Sequence, residues 1–323
     1  MFRASEKLYN SIATRVMAAV LLSALLLTAS SFSATLQDKD KKKPQPTEHN
    51  RKEEGKVPNE KELEKDKKNQ EKGKPAEVKL SPVETIVELT IIAYGGRKQL
   101  ETVRTGIQEE GTIRLATDQG DLTGDFILRS LRREKTWQDL LRVDLNLTPP
   151  GGESRQGAAG NVKYIIGYNG ATVWSAQNNQ YVTPRPEAEA AFRAQLTREY
   201  MALLRYKEDG SKIELVGPET VVGVDSNVIE LTNPNGEKTR YWVSTKTYRI
   251  LHVEYELKIA ESQTTTKYRI SYYYTPFRVV QNTLVPVRRV MTQDGKFVQE
   301  INLNNIIYSA KLDPEIFQHL QEQ

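Results

Sequence analysis

The side chains that ordinarily carry chemistry are scarce in this chain of 323 residues. It has no cysteine, which removes disulfides, thiolate nucleophiles, thiolate metal sites and any lipidated cysteine. Its three histidines are His49, His252 and His319. A Ser–His–Asp relay would have to use His252, which alone falls within a strand pattern. Yet His252 alternates onto the polar face, and nothing marks out a partner serine. It reads as an ordinary surface histidine. The HExxH and GxSxG motifs, phosphate-cradling glycine loops and Asp-rich calcium loops are all absent. Carboxylates are plentiful and two suffice for glycoside hydrolysis, but spacing singles out no pair. Arg132-Arg133 and Arg288-Arg289 fall at strand positions and read as solvated faces. No catalytic residue, cofactor or metal site is therefore expected.

The elements that would have to position any site begin after a long approach. Arg3, Lys7 and Arg15 precede an apolar run from Val16 to Ala29, followed by small residues. That length suits an export signal over 1–34, cleaved after Ser31 or Ser33, better than a membrane span of ~20 residues. An uncleaved anchor is the alternative. Both place the remainder outside the cytoplasm, in the periplasm or cell envelope, held at the inner membrane if the signal stays on. Residues 35–79 are lysine-rich and nearly devoid of apolar side chains, with 14 basic and 11 acidic residues between 37 and 79. Such a segment cannot bury enough surface to offset chain entropy and reads as a disordered linker. As a flexible chain it would span about 36 Å, serving as a spacer, a tether or a contact for anionic envelope polymers. The formal net charge is +4, and the excess lies in these two segments. The part from Leu80 onward is close to neutral and lacks the basic footprint of a nucleic-acid binder.

A domain is expected over 80–323. Ser81-Pro82-Val83-Glu84 is a capping box with proline at the first helical position, and Val83, Ile86, Val87, Thr90, Ile91 and Tyr94 keep a helical period. Gly95-Gly96 stops the helix. Beyond Thr105 the period changes to two, with strands expected near 106–116, 121–133, 137–147, 162–168 and 171–176. A central helix starts at Pro186 and carries Phe192, Leu196, Tyr200, Met201, Leu203 and Leu204. Strands then resume near 212–217, 220–224, 227–232, 239–244, 249–258, 265–274, 284–292 and 296–308. Asn178-Asn179, Asn235-Gly236 and Asp294-Gly295 suit hairpin turns. The stretch from Pro149 to Gly160 reads as a long loop. In 249–258, Leu251, Val253, Tyr255 and Leu257 share one face; in 265–274, Tyr268, Ile270, Tyr272 and Tyr274 do. No βαβ rhythm is present, so the fold class is α+β, with a large antiparallel sheet. Two helices are a small cover for so wide a sheet, and a strongly twisted sheet curling around them would leave either an apolar hollow or a fully packed core.

The order of several short motifs resembles the LolA-like lipoprotein-carrier superfamily of bacterial envelopes. These are Ala93-Tyr94-Gly95-Gly96 leading to Gly111, Gly170-Ala171-Thr172-Val173-Trp174 before an Asn-rich turn, Ser244 to Ile250, Val285-Pro286, Asp294-Gly295-Lys296 and Leu312 to Phe317. The resemblance spans roughly 81–318. It implies a strongly curved half-barrel with helices covering its concave face and an apolar cavity between them. It also implies carriage of a lipid or a lipidated protein across the periplasm, with donor and acceptor proteins in the envelope. Membrane contact would be transient, or made through the uncleaved anchor. Expected cavity residues are Trp174, from the family motif, and Trp137, Leu141, Tyr164, Ile166, Phe192, Leu196 and Met201, from apolar position. In the carriers an early-strand arginine holds the helical lid, and Arg132 or Arg133 lies in the comparable stretch. The alternative function is a tethered envelope sensor or scaffold that binds a protein partner.

Overall fold

The computed structural model describes residues 80–150, 161–259, 263–273 and 277–318. The expected signal over 1–34, the linker over 35–79 with His49, most of the 149–160 loop, Tyr274 and His319 lie outside the described residues. Helix α1, Pro82–Ala93, starts as its capping box dictates: the Ser81 amide donates to Glu84 Oε2 at 2.9 Å and the Glu84 amide to Ser81 Oγ at 3.4 Å. Its buried stripe is Val87, Thr90 and Ile91. It stops where Gly96, at φ +83°, returns its amide to the Ile91 carbonyl. A short helix α2, Arg97–Val103, leads into the sheet.

Thirteen strands form one open antiparallel sheet in the order β6-β5-β4-β3-β2-β1-β15-β14-β11-β10-β9-β8-β7. They are β1 Gly106–Leu115, β2 Leu122–Leu131, β3 Leu140–Thr148, β4 Val162–Tyr168, β5 Val173–Gln177, β6 Gln180–Val182, β7 Lys212–Val221, β8 Val224–Thr232, β9 Lys238–Ser244, β10 Ile250–Ile259, β11 Thr264–Ser271, β14 Arg288–Gln293 and β15 Lys296–Tyr308. A separate hairpin pairs β12, Phe277–Val280, with β13, Thr283–Pro286. The turns at Asn178-Asn179, Asn235-Gly236 and Asp294-Gly295 close hairpins as expected.

The sheet is strongly curved. β4 and β10 are the first and last of eight consecutive strands, and seven strand spacings in a flat sheet would hold them ~34 Å apart. Yet Ile166 of β4 and Tyr255 of β10 line the same small hollow. The concave face carries two merging apolar cores, one on β8–β11 with α1 and one on β1–β4. Across them lies the central helical segment. It comes in three pieces rather than the expected one: α3 Pro186–Arg198, α4 Tyr200–Leu204 and α5 Tyr206–Asp209. The first break falls at Glu199, whose backbone is extended (φ −73°, ψ 179°), with no proline or glycine to announce it.

Several expectations need correcting. The strand expected from 137 starts at Leu140, because Thr136–Gln138 makes a 3-10 turn in which the Asp209 carboxylate takes both the Thr136 amide (2.8 Å) and its hydroxyl (2.6 Å). β7 is one strand, with a bulge between Leu215 and Gly217 in place of a turn; the turn comes later, at Val222-Gly223. A bulge between Ile250 and His252 moves Ile250 into the concave core and turns Leu251 outward. His252 is not a surface residue. It lies on the convex side but is only 6 % exposed, against the Trp242 ring with centroids 4.2 Å apart, in a small outer core with Val221, Val228 and Leu251.

Candidate functional site

Two adjoining hollows lie between α3 and the concave face. The first, about 80 Å³, is walled by aliphatic and aromatic side chains from eight strands, Phe126, Val143, Ile166 and Ile270 among them, and roofed by Ala191 and Phe192 of α3. The second, about 110 Å³, is lined by charged side chains interleaved with apolar ones and lies beneath the lid's later part. Leu128, Gln195, Glu199 and Arg289 line both.

Of the expected cavity residues, Ile166 and Phe192 line the first hollow, and Leu141, Leu196 and Met201 line the second. Tyr164 is fully buried in the same core but lines neither. Trp137 and Trp174 are elsewhere. Trp137 sits in the 3-10 turn, 49 % exposed. Trp174 pairs with Gly167, whose neighbour Ile166 faces the hollow, so Trp174 faces outward. Its indole fills the space above Gly167, where a Cβ would come within 2.6 Å of the ring, and donates to the Phe317 carbonyl at 2.8 Å. Arg142 donates to the Ile316 carbonyl beside it at 2.9 Å. The closing turn Pro314–Phe317 is thus pinned to the convex surface.

Polar contacts hold the lid at both ends. Arg132 grips both carboxylate oxygens of Glu208 in α5, at 2.7 and 2.8 Å. The Arg133 side chain is exposed, and its backbone makes the contacts: its amide to Asp139 (2.7 Å) and its carbonyl to Arg205 (2.7 Å). Arg205 also pairs with Asp139 and with Glu208, and Lys135 reaches the Glu208 carbonyl. Burial lifts the Asp139 carboxyl to about 6 against the pull of Arg205. At the other end Arg198 donates to the Glu256 carbonyl (2.8 Å) and pairs with Glu237.

The junction of the hollows holds charges that residue type alone concealed. Arg289 points inward, not to solvent, and its Nη2 meets Glu109 at 2.5 Å. Its Nη1 lies 3.8 Å from Glu199. Burial raises the Glu199 carboxyl, with Arg289 opposing. Arg104, 2 % exposed, donates to the Tyr200 hydroxyl (3.1 Å) and the Leu284 carbonyl (3.2 Å), and its guanidinium lies 5.1 Å from the centre of the Tyr308 ring. Strand alternation could have found Arg289, which shares a face with Met291, and Glu109, which shares one with Ile107. Among the described residues no group of three or more His, Asp or Glu is placed to hold a metal. No helix among them is long and apolar enough to cross a membrane.

Neither a family model nor a curated protein matches this sequence. Solved structures of similar fold include a DUF1329 family protein from Desulfovibrio piger, 15 % identical over 74 % of this chain and 98 % of that one, with a TM-score of 0.49. A putative outer membrane lipoprotein-sorting protein domain from Vibrio parahaemolyticus is 14 % identical over 73 % of this chain and 95 % of that one, with a TM-score of 0.45. A LolA superfamily protein from Nitrosomonas europaea is 15 % identical over 74 % of this chain and 99 % of that one, with a TM-score of 0.45.

Proposed function

We propose that this chain is a non-catalytic envelope protein that binds a lipid, or the acyl chains of a lipidated protein, between its helical lid and the concave face of its sheet. The observation that carries the reading is the apolar hollow itself, walled by eight consecutive strands and roofed by Ala191 and Phe192. Each buried methylene contributes about 0.8 kcal/mol, so a chain of ~14 carbons grosses ~11 kcal/mol before ordering costs. No reacting side chain is required.

At about 80 Å³ the hollow is closed down. An apolar cavity of roughly 150 Å³ takes one benzene, so a long chain enters only if the lid moves. The lid suits such movement. It breaks at Glu199: beyond the break Tyr200, Leu203, Leu204 and Tyr206 are fixed in the core with α1, and Arg132 and Arg205 tie that part to the β2–β3 connection, so the movement would fall to α3. Leu141, Ile166, Phe192, Leu196 and Met201 would touch the cargo. Residues 1–34 would export the chain, and 35–79 would let the domain reach donor and acceptor partners from a fixed point if the signal is retained.

The test is titration of the full chain with a fluorescent fatty acid. Saturable uptake that is lost in Phe192→Arg and kept in Trp174→Ala supports the reading. Equal uptake by both variants and the parent chain overturns it.

A further inference from the structure

The second hollow mixes charged and apolar side chains in its wall and includes cations whose donors exceed their partners. Arg104 and Arg289 are 2 % and 7 % exposed, and both line this hollow. In each the Nε is buried without a hydrogen-bond partner. Arg104 has no carboxylate partner among the described residues; it donates to a tyrosine hydroxyl, a backbone carbonyl and the Met201 sulfur, and its guanidinium lies over the Tyr200 and Tyr308 rings. Arg289 spends one nitrogen on Glu109, while Glu199 stands 3.8 Å off, beyond hydrogen-bond reach. A buried N–H left unpaired is costly, and both of these under-partnered guanidinium groups stand at the wall of one small cavity, where an acceptor could serve them. The hollow of about 110 Å³ has room for several water-sized atoms and opens on the apolar one at Leu128, Gln195, Glu199 and Arg289.

We infer that the cargo is an amphiphile with an anionic oxygen head, a carboxylate or a phosphate, seated on Arg104 and Arg289 with its chain in the apolar hollow. The inference rests on the acyl-binding reading above and adds the chemistry of the head. Guanidinium groups suit it because they stay charged when buried and present several donors to a planar or tetrahedral oxyanion. The two sources of such a head, a free fatty acid and a phospholipid-like phosphate, share this recognition.

The experiment is competition at pH 7.5 between a neutral fluorescent acyl probe and four competitors: decanoate, decyl phosphate, 1-decanol and inorganic phosphate. The full chain should bind decanoate or decyl phosphate about tenfold or more tightly than decanol, the worth of one charged hydrogen bond. Whichever of the two is tighter identifies the head. Removing Arg289 alone would strand Glu109 in the interior, so the variant is the pair Arg289→Met with Glu109→Met. In it the ratio of anion to decanol affinity should fall to about one; Arg104→Met should weaken the preference independently. Equal affinity for decanol and both anions in the parent chain overturns the inference and leaves the acyl reading standing. A preference that survives in the double variant, or inorganic phosphate binding as tightly as decyl phosphate, also overturns it. Failure of all four competitors to displace the probe removes both.

Discussion

Arg132, one residue beyond β2, holds Glu208 through both carboxylate oxygens, so the last turn of the lid is tied to the sheet by a two-point ionic clamp. Glu208 also receives Arg205 at 2.8 Å, so the clamp is shared between strand and lid. Arg132→Met should therefore cost only about 1 kcal/mol of global stability, because Glu208 keeps one partner. Amide exchange should nevertheless speed up across 199–209 and remain slow in β1–β4. Uniform acceleration over the whole domain would contradict a local clamp.

Trp174→Ala separates structure from cargo binding. The indole is 2 % exposed and packs on Gly167 and the closing turn, so its loss should cost ~3–5 kcal/mol in chemical unfolding. Uptake measured well below the melting temperature should not change. Reduced uptake by a folded Trp174→Ala chain would place the indole in the cavity after all.

Leu196→Arg puts a long charged side chain into the wall of the second hollow. The domain should stay folded, since the position is only partly buried and a guanidinium can snorkel toward the edge of the lid. Acyl affinity should fall at least tenfold, measured by probe titration, and unchanged affinity would remove Leu196 from the site.

His252 gives a pH signature of the outer core. Burial, then the charge of Arg269, lowers its pKa to about 4. The folded value lies below the unfolded one of ~6.5, so its contribution is full above 6.5 and is lost as pH falls through 4. His252→Phe should flatten the stability profile over that range. In NMR, the His252 ring should titrate near 4; a midpoint near 6.5 would show an exposed ring.

Glu300 acts at lower pH. Hydrogen bonds from Arg288 and Arg114 hold its carboxyl down at about 2, against some burial. Its folded pKa is depressed, so stability is present above the ordinary carboxylate range and is lost as pH falls toward 2. Glu300→Gln should show a shallower acid limb in urea unfolding than the parent chain, and identical limbs would deny the carboxylate that role.

Local signals read well where one element decides its own fate. The capping box at Ser81-Glu84, the Gly95-Gly96 stop and three hairpin turns are set by neighbours in sequence, and each is found. Tyr268, Ile270 and Tyr272 share the concave core as their alternation requires. Trp174 departs from its expected place for a long-range reason. β5 is buried on both faces, Val173 through Ala176, so alternation carries no information there, and the turn that covers its outer side is some 140 residues away. His252 sat on the face expected to be wet, but Trp242 and Leu251 build a second small core on it. The break at Glu199 has no local cause such as proline or glycine; it falls where the chain passes the buried Arg289. Inward charges such as Arg289 and Glu109 offset each other across strands 180 residues apart, which no window of sequence contains.

The most direct test of the central claim is native mass spectrometry with lipid extraction on the full chain purified from the envelope fraction. The account predicts a discrete added mass that is lost on denaturation and recovered as a lipid or lipopeptide, and that is absent from Phe192→Arg prepared in parallel. A lipid-free chain that also refuses added acyl ligands would mean that the hollow is only a packing defect beneath the lid, and would contradict the account.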